Sequence, residues 1–326
     1  MLIDKKYART LSRIGVRATY GQKLYEIAQE DPNVIAMSAD LGRSSGLNQL
    51  SLNLPNQYVN VGIAEQNLVG VAAGMAKEGF QVFASSFAPF LSMRASEQVR
   101  MNLGYMGLPV KLVALGSGVS MGFLGNSHYG LEDIAVMRAI PGMTIVSPAD
   151  CVELTKVLRS AQQFDGPMYI RLVGGVNAPV VYDQDYTFKI GEADWLSNGD
   201  GSICLIGSGS GVALAAKAAD VISAELNVDC AVVNMATIKP LDKTSITKAL
   251  EKYTLCLLVE EHTCVGGLGS AIAEFKADNM LDGNFVRISL PDAYVPTGEY
   301  GFVLDQTGLS VENIVSIAMD RLRALT

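Results

Sequence analysis

The sequence predicts an α/β protein built from two doubly wound domains. With 326 residues the chain is long for a single hydrophobic core, so two domains of ordinary size are expected. Short apolar runs alternate with longer helical runs, and this alternation predicts β-α-β units around mostly parallel sheets. The alternation breaks off between about residues 174 and 201, where the chain becomes polar and irregular. This break is the predicted junction between the two domains.

The first domain is predicted to cover residues 1–180. Its short apolar runs predict strands and its longer runs predict helices. In order, the predicted elements are strand 34–37, helix 65–77, strand 81–84, helix 92–103, strand 110–115, strand 144–146, helix 151–163 and strand 168–171.

The second domain is predicted to cover residues 181–326. It begins with a linker and an edge segment that end at an Asn-Gly-Asp-Gly turn over 198–201. A second α/β series follows: strand 202–207, helix 212–226, strand 229–234, helix 245–252, strand 255–259, helix 267–276, strand 285–289 and helix 311–325.

Composition argues against several classes of protein. A net charge of −8 and an isoelectric point near 4.9 disfavour a nucleic-acid partner, because phosphate binding needs a basic face. The five cysteines show no C-x-x-C spacing, so we expect small core residues in a reducing compartment. The first residues lack a secretory segment, and no run of about 18 apolar residues exists for a membrane span. A cytoplasmic protein is the expectation.

The stretch 61–67, Val-Gly-Ile-Ala-Glu-Gln-Asn, is the most informative in the chain. It places Glu65 between an apolar strand that ends in glycine and a helix of small residues. We expect Glu65 at a buried helix start, where a carboxylate is costly unless a partner uses it. Position alone also allows an ordinary glutamate that complements the helix dipole.

This stretch, with Ser-Ala-Asp-Leu at 38–41 before it and Ser-Phe-Ala-Pro-Phe at 86–90 after it, resembles the pyrimidine-binding half of transketolase and its thiamine-diphosphate relatives. The sequences 237–242 and 266–270 are similar to marks of the family's C-terminal domain. The resemblance therefore covers essentially the whole chain. It implies a thiamine-diphosphate pyrimidine-binding fold followed by a transketolase C-terminal-like domain.

The resemblance implies a cofactor site around Glu65. In this family a dry, fixed carboxylate binds a ring nitrogen of the aminopyrimidine and so activates thiamine diphosphate, and Glu65 occupies that place. Phe87 and Phe90 match the two phenylalanines that stack on the pyrimidine, although such a pair is also common in cores. Met93 stands at a further position that is usually aromatic. Asp40 matches a residue near the thiazolium ring and, by position alone, could also begin a turn.

The resemblance also implies a substrate site. His128 lies in a Gly-Asn-Ser-His-Tyr-Gly loop that matches the family loop whose histidine faces substrate oxygens as a donor or proton shuttle. Arg17 and Ser44 match phosphate-binding residues of transketolases, and Arg171 resembles a further substrate arginine. The second histidine, His262, resembles a structural or interface residue of the second domain.

Two positions depart from the transketolase pattern. Gly116 stands where transketolases have another phosphate-facing histidine, and Leu124 stands where they have an aspartate that reads the configuration of a substrate hydroxyl. Donor or acceptor specificity is therefore expected to differ from that of the pentose-phosphate enzymes.

One segment of the chain is similar in spacing to the superfamily's metal-binding motif. Gly199-Asp200-Gly201 followed by Asn227 resembles it in spacing, but the tripeptide precedes a predicted strand, so we predict a turn and no metal site. The resemblance then implies that Mg²⁺ and most of the cofactor's diphosphate are bound by a separate N-terminal subunit. The expected assembly is α₂β₂.

The function implied is a transketolase-like transfer of a two-carbon ketol unit from a ketose or its phosphate to an aldehyde acceptor, active only with the partner subunit. Two other reactions stay open: a 1-deoxyxylulose-5-phosphate synthase-like condensation, and the β subunit of a 2-oxoacid dehydrogenase decarboxylase. A catalytically silent partner subunit is a third alternative, which the presence of both Glu65 and His128 argues against.

Overall fold

The computed structural model describes residues 3–325, and its strands form two sheets. The strands are β1 (Val34–Ser38), β2 (Tyr58–Asn60), β3 (Gln81–Phe87), β4 (Lys111–Ser117), β5 (Thr144–Val146), β6 (Met168–Val173), β7 (Asp194–Asn198), β8 (Ile203–Ser208), β9 (Ala231–Asn234), β10 (Thr237–Lys239), β11 (Leu255–Thr263) and β12 (Asn284–Leu290). The α-helices are α1 (Lys5–Glu30), α2 (Asn48–Asn53), α3 (Glu65–Lys77), α4 (Ser96–Gln98), α5 (Asp133–Arg138), α6 (Cys151–Gln163), α7 (Gly211–Leu226), α8 (Lys243–Lys252), α9 (Leu268–Asp278), α10 (Tyr300–Gln306) and α11 (Val311–Arg323).

The first sheet has seven strands in the order β10-β5-β6-β4-β3-β1-β2, parallel except for β10. Every residue of β1, β4 and β6 is buried, as expected for central parallel strands covered on both faces. The register pairs Ser38 with Ser85 and Phe87 with Leu115. The carboxyl ends of β1, β3 and β4 therefore share one edge, which is where open α/β sheets bind ligands.

The second sheet has five strands in the order β12-β11-β8-β9-β7, and β7 is its antiparallel edge strand. One strand from the second half of the chain, β10, belongs to the first sheet, where it pairs with β5 through Thr237 and Val146. Beside that pair, the Ser147 amide donates to the Ala236 carbonyl at 2.8 Å. Backbone hydrogen bonds thus join the two halves of the chain, and the boundary near residue 180 stays a prediction.

One predicted helix has an unexpected geometry. Over 92–103 the chain forms π-helical segments at Phe90–Arg94 and Val99–Tyr105, on either side of α4. In the first segment the Ala95 amide donates to the Phe90 carbonyl at 3.1 Å, five residues back. The Ser92 hydroxyl donates to the Ala88 carbonyl at 2.7 Å, a bond that bends helices. Wide turns of this kind often lie at functional sites.

The long helix α1 has no counterpart among the predicted elements. It contacts α6, buries Leu11, Tyr20 and Leu24, and is interrupted at Gly15, where φ is 82°. Arg17 lies two residues beyond this interruption. Although α1 has 26 residues, no helix of the described part of the chain is apolar enough to cross a bilayer.

Candidate active site

Glu65 is the first residue of α3, and only 2% of it is exposed. Two side chains hold its carboxylate. The Ser86 hydroxyl donates to Oε1 at 3.3 Å, and the Arg94 guanidinium donates to Oε2 at 2.8 Å. A buried carboxylate needs such partners, because an uncompensated charge is costly in an apolar interior. Glu65 is therefore both dry and fixed in direction.

Three aromatic rings form a cluster next to Glu65. Phe87 ends β3, Phe90 begins the first π-helical segment, and His128 comes from the loop after β4. The ring centroids of Phe87 and Phe90 are 5.9 Å apart, and the His128 ring lies 5.6 Å from Phe87 and 5.4 Å from Phe90, all edge to face. The Arg94 guanidinium pairs with Glu65 and lies over the Phe90 ring, so it links the carboxylate to the rings. The structure thus brings four of the predicted site residues together in one cluster.

His128 has a defined hydrogen-bond partner. The Ser127 hydroxyl lies 3.0 Å from His128 Nδ1 and donates its own proton to the Leu124 carbonyl at 3.2 Å. Since the serine proton is used in that bond, the serine oxygen accepts the Nδ1 proton, and we assign this tautomer on that basis. Nε2 is then left without a proton and can accept one from a ligand.

Arg17 reaches the same cluster from α1. Its guanidinium carbon lies 5.8 Å from the Phe87 ring centroid, and its Nη2 donates to the sulphur of Met121 at 2.9 Å. Burial lowers the pKa of Arg17 from its ordinary value. A Cβ at Gly116 would collide with the Met121 sulphur. The thioether of Met121 therefore fills the space next to Gly116, where the family pattern has a histidine.

Asp40 and Ser44 lie on the neighbouring loop, after β1. Asp40 has a left-handed backbone, with φ of 58°, and its amide donates to the side-chain oxygen of Asn60 at 2.9 Å. The Asn60 amide donates back to Asp40 Oδ1 at 3.3 Å. Because β1 and β3 are paired in parallel, this loop opens at the same sheet edge as Phe87. Asp40 and Ser44 are thus near neighbours of the cluster in the topology, without a direct bond to it.

Arg171 is placed differently from the prediction. It lies on β6, 2% exposed, and its Nε donates to both Asp133 oxygens at 2.9 and 3.1 Å. Its Nη2 donates to the carbonyls of Gly130 and Glu261. All of this is internal bonding, because a buried guanidinium must be fully paired. The structure therefore does not bring Arg171 into the cluster of Glu65, Phe87, Phe90 and His128, and the predicted substrate contact of Arg171 stays a prediction.

Removing the anionic partner of Arg171 is expected to destabilise the fold. Asp133→Ala leaves a buried guanidinium uncompensated, which should cost about 3–5 kcal/mol in the free energy of unfolding, measured by urea titration. The matched control is Glu192→Ala, which removes the exposed partner of Lys189 and should have no measurable effect. A loss as small for Asp133→Ala as for the control would contradict the assignment of Arg171 to the internal ion pair.

His262 and Asp200 both have structural environments. His262 is fully buried, its Nε2 accepts the Ile134 amide proton at 3.2 Å, and burial lowers its pKa to about 4. Asp200 lies in the turn between β7 and β8, where its two oxygens accept the amide protons of Ser202 and Asp229. The Gly-Asp-Gly tripeptide is therefore a turn at this position.

Comparison with known proteins follows the same division of the chain. The family model "Transketolase, pyrimidine binding domain" matches residues 12–173, and "Transketolase, C-terminal domain" matches residues 191–314. A putative transketolase C-terminal section from Methanocaldococcus jannaschii is 36% identical over 311 residues, which cover 95% of this chain and 96% of that protein. This chain belongs to the transketolase family. The predicted resemblance and the predicted α/β fold class are thereby confirmed.

Two further transketolase chains match over nearly their whole length. One subunit of the apulose-4-phosphate transketolase of Phocaeicola vulgatus is 35% identical over 308 residues, 94% of this chain and 97% of that one. A solved structure described as a split gene transketolase, inactive beta4 tetramer, has a TM-score of 0.86 and 33% identity, and covers 96% of this chain and 99% of that one.

Two residues that contact this cluster were missed by sequence reasoning. Arg94 is four residues after Phe90, a spacing that puts two side chains on one helical face and could have suggested the contact. Its guanidinium carbon lies 4.1 Å from the Phe90 ring centroid. Met121 carries no comparable signal, because a loop methionine has no preferred partner in sequence.

Proposed function

We propose that this chain is one subunit of a two-chain, thiamine-diphosphate-dependent transketolase. With its partner it transfers a two-carbon ketol unit from a ketose or ketose phosphate to an aldehyde acceptor. The observation that carries the proposal is the buried Glu65 carboxylate beside the rings of Phe87, Phe90 and His128. The names of the relatives, which include transketolase subunits, support the same reaction.

The residues of the cluster fit an aminopyrimidine ring. Such a ring needs flat apolar walls and one polar group in its plane, and Phe87, Phe90 and Glu65 supply these features. The Ser86 bond holds the Glu65 carboxylate in place, so that it can share a proton with a ring nitrogen. When bound, thiamine diphosphate supplies the carbon nucleophile that carries the two-carbon unit. Asp40, on the adjacent loop, would line the remainder of the cofactor site.

The roles proposed for the substrate residues follow from their hydrogen bonds. His128 Nε2, free of a proton in the assigned tautomer, would accept the proton of a substrate hydroxyl and return it to a carbonyl oxygen. Arg17 would bind an anionic or hydroxyl-rich end of the substrate beside it, and Ser44 would assist as a small donor. The Arg17 guanidinium is already partly desolvated, which strengthens its hydrogen bonds to a phosphate.

The proposed partner is an N-terminal transketolase subunit that binds the diphosphate through Mg²⁺, in an α₂β₂ assembly in the cytoplasm. In support, no group of three or more His, Cys, Asp and Glu side chains within residues 3–325 is arranged to hold a metal ion. The acidic net charge is in keeping with a sugar substrate and disfavours a nucleic-acid ligand.

A second candidate function rests on Gly116 and Met121. The thioether occupies the space where transketolases present a histidine, so a smaller or less hydroxylated substrate would fit there. That favours a 1-deoxyxylulose-5-phosphate synthase-like condensation over a 2-oxoacid dehydrogenase, for which a lipoyl-bearing partner would also be required.

The test is an assay of the chain purified together with its partner subunit, thiamine diphosphate and Mg²⁺. Ketose and ketose phosphate donors are offered with aldehyde acceptors in one series, and pyruvate with glyceraldehyde 3-phosphate in another. We expect turnover in the first series. Turnover only with pyruvate would replace the transketolase proposal by the second candidate, and turnover with neither would overturn both.

Arg94 is expected to compete with the cofactor. Its guanidinium already pairs with Glu65 and lies over the Phe90 ring, the two contacts an aminopyrimidine would make. Arg94 is half-exposed, although Glu65 is buried, so we expect the ion pair and the cation–π contact together to contribute about 1–2 kcal/mol. Arg94→Ala should therefore tighten thiamine diphosphate binding by the complex by roughly fivefold to thirtyfold.

Calorimetric titration of the complex with thiamine diphosphate measures this effect. Arg100→Ala is the matched control, because Arg100 pairs with the exposed Glu97 on the same segment and should leave the affinity unchanged. Weaker binding by Arg94→Ala would show that Arg94 assists the cofactor instead of competing with it.

A further inference from the structure

The loop that carries His128 is rich in glycine. It runs from the end of β4 to α5 and closes on itself where the Gly118 and Gly130 amides each donate to the other's carbonyl, at 3.0 and 2.9 Å. Glycines with left-handed backbones occur at 116, 118, 122 and 125. Glycines of this kind allow a segment many conformations in addition to the observed one, so contacts with neighbouring parts of the fold help to fix it.

The restriction comes from the second half of the chain. Val119, Tyr129 and Leu131 are buried in the hydrophobic core that also contains residues of β8, β11 and α11, such as Leu205, Val259 and Ile314. The His128 loop is thus packed as a part of the second domain's core, although its sequence belongs to the first domain.

Glu261 holds the beginning of the loop. It lies near the end of β11, 2% exposed, and its Oε1 accepts the Val119 amide proton at 2.8 Å. Its Oε2 accepts the hydroxyl protons of Ser210 at 2.6 Å and Tyr300 at 2.5 Å. A Cβ at Gly118 would collide with the Glu261 carboxylate, so the two groups are in direct contact.

Asn126 holds the middle of the loop, two residues before His128. Its side-chain amide donates to the Val295 carbonyl at 2.8 Å, and its side-chain oxygen accepts the Val295 amide proton at 3.1 Å. Tyr129 adds a bond from its hydroxyl to the Gly122 carbonyl at 2.5 Å. Side-chain hydrogen bonds from Glu261 and Asn126 therefore bind the loop to the second domain at two points before His128. After His128, the buried side chains of Tyr129 and Leu131 bind it.

We propose that Glu261 and Asn126 are positioning residues for His128, through which the second domain sets the place of the imidazole in the active site. The inference rests on the proposed function, since it concerns the histidine assigned there to the substrate. A displacement of the imidazole by about 1 Å can lower the rate roughly a hundredfold. The second domain would thus affect catalysis by holding His128 in place, without contributing a group that touches substrate.

The first measurement is the turnover number of the complex reconstituted with the partner subunit. Glu261→Ala and Asn126→Ala are each expected to lower kcat by roughly tenfold to a hundredfold, with the affinity for thiamine diphosphate unchanged. Glu261→Gln keeps an oxygen for the Val119 amide and donors for the two hydroxyls, so it should restore most of the rate. A loss of fold alone would not separate kcat from cofactor affinity in this way.

Glu260→Ala is the matched control. Glu260 is the preceding residue, equally buried, and its carboxylate accepts the amide protons of Leu268 and Gly269 inside the second domain. Its removal should lower the unfolding temperature and leave kcat of the folded enzyme unchanged. Equal losses of kcat for Glu260→Ala and Glu261→Ala would overturn the positioning role.

The second measurement needs neither substrate nor partner. The chain has two histidines, and His262 is fully buried, so histidine-labelled protein gives one NMR signal for each environment. Asn126→Ala should broaden or split the His128 signal and leave that of His262 in place. An unchanged, sharp His128 signal would overturn the proposal even if Glu261→Ala failed to fold. The NMR signal does not depend on activity, so this measurement distinguishes a failure of the positioning proposal from a failure of the proposed reaction.

Discussion

In a complex reconstituted with the partner subunit, Glu65→Gln is expected to turn over roughly 10² to 10⁴ times more slowly than the unmodified enzyme. The amide keeps the shape of the side chain and its bond to Ser86, but it cannot share a proton with an aminopyrimidine nitrogen as a carboxylate does. The carboxylate is 2% exposed, so water offers no substitute for it. Steady-state kinetics with saturating cofactor measure the effect.

The control for this variant is Glu97→Gln. Glu97 lies on α4 and is mostly exposed, and both of its carboxylate oxygens accept hydrogen bonds from Arg100, outside the cluster around Glu65. Its replacement should leave turnover within a factor of about two, since exposed ion pairs contribute little. A Glu65→Gln complex with full activity would remove the catalytic assignment of this residue and with it the main support for the proposed function.

The chain alone is expected to bind thiamine diphosphate at least about a hundredfold more weakly than the mixture with its partner, a difference of about 2.7 kcal/mol or more. In the proposed site the cluster of Glu65, Phe87, Phe90 and His128 contacts the pyrimidine and substrate, and the partner subunit binds the diphosphate. Calorimetric titration with and without Mg²⁺ measures the affinity of the chain, the partner and the mixture.

Phe90→Ala in the mixture tests the proposed contact between this chain and the pyrimidine of the cofactor. Loss of one stacking ring should weaken the cofactor by about 1–2 kcal/mol and leave assembly of the subunits unchanged. Tyr105→Ala is the aromatic control, because Tyr105 is exposed and lies on the neighbouring π-helical segment.

For the comparison between the chain alone and the mixture, tight binding and turnover by the chain alone would be incompatible with a site divided between two subunits.

Several features followed from local sequence patterns. Nine of the strands were predicted within a few residues, because runs of buried apolar residues depend on neighbours along the chain. The short strands β2 and β10 had no counterpart among the predicted elements, and β7 was predicted only as an edge segment. The burial of Glu65 at a helix start was also predicted, since a lean helix cannot solvate its own first turn. The family resemblance added the grouping of Phe87, Phe90 and His128, which no spacing in the sequence could indicate.

Other features depended on contacts between distant segments. Arg171 is committed to Asp133 and to the Glu261 carbonyl, which lies 90 residues away in sequence, so no local pattern could reveal that it is internal. The three-residue strand β10 forms only because β5 offers it an edge. Arg94 meets Glu65 across 29 residues because the π-helical turn directs it there.

The sequence by itself determined the fold class, the transketolase relationship and the identity of the groups that can do chemistry, because these depend on residue type and order along the chain. The tertiary structure alone decided which of those groups form the cluster around Glu65, that Arg171 is internal, and that the second domain holds the His128 loop. Hydrogen bonds and packing between segments far apart in sequence make those choices, as Asn126 and Val295 do across 169 residues.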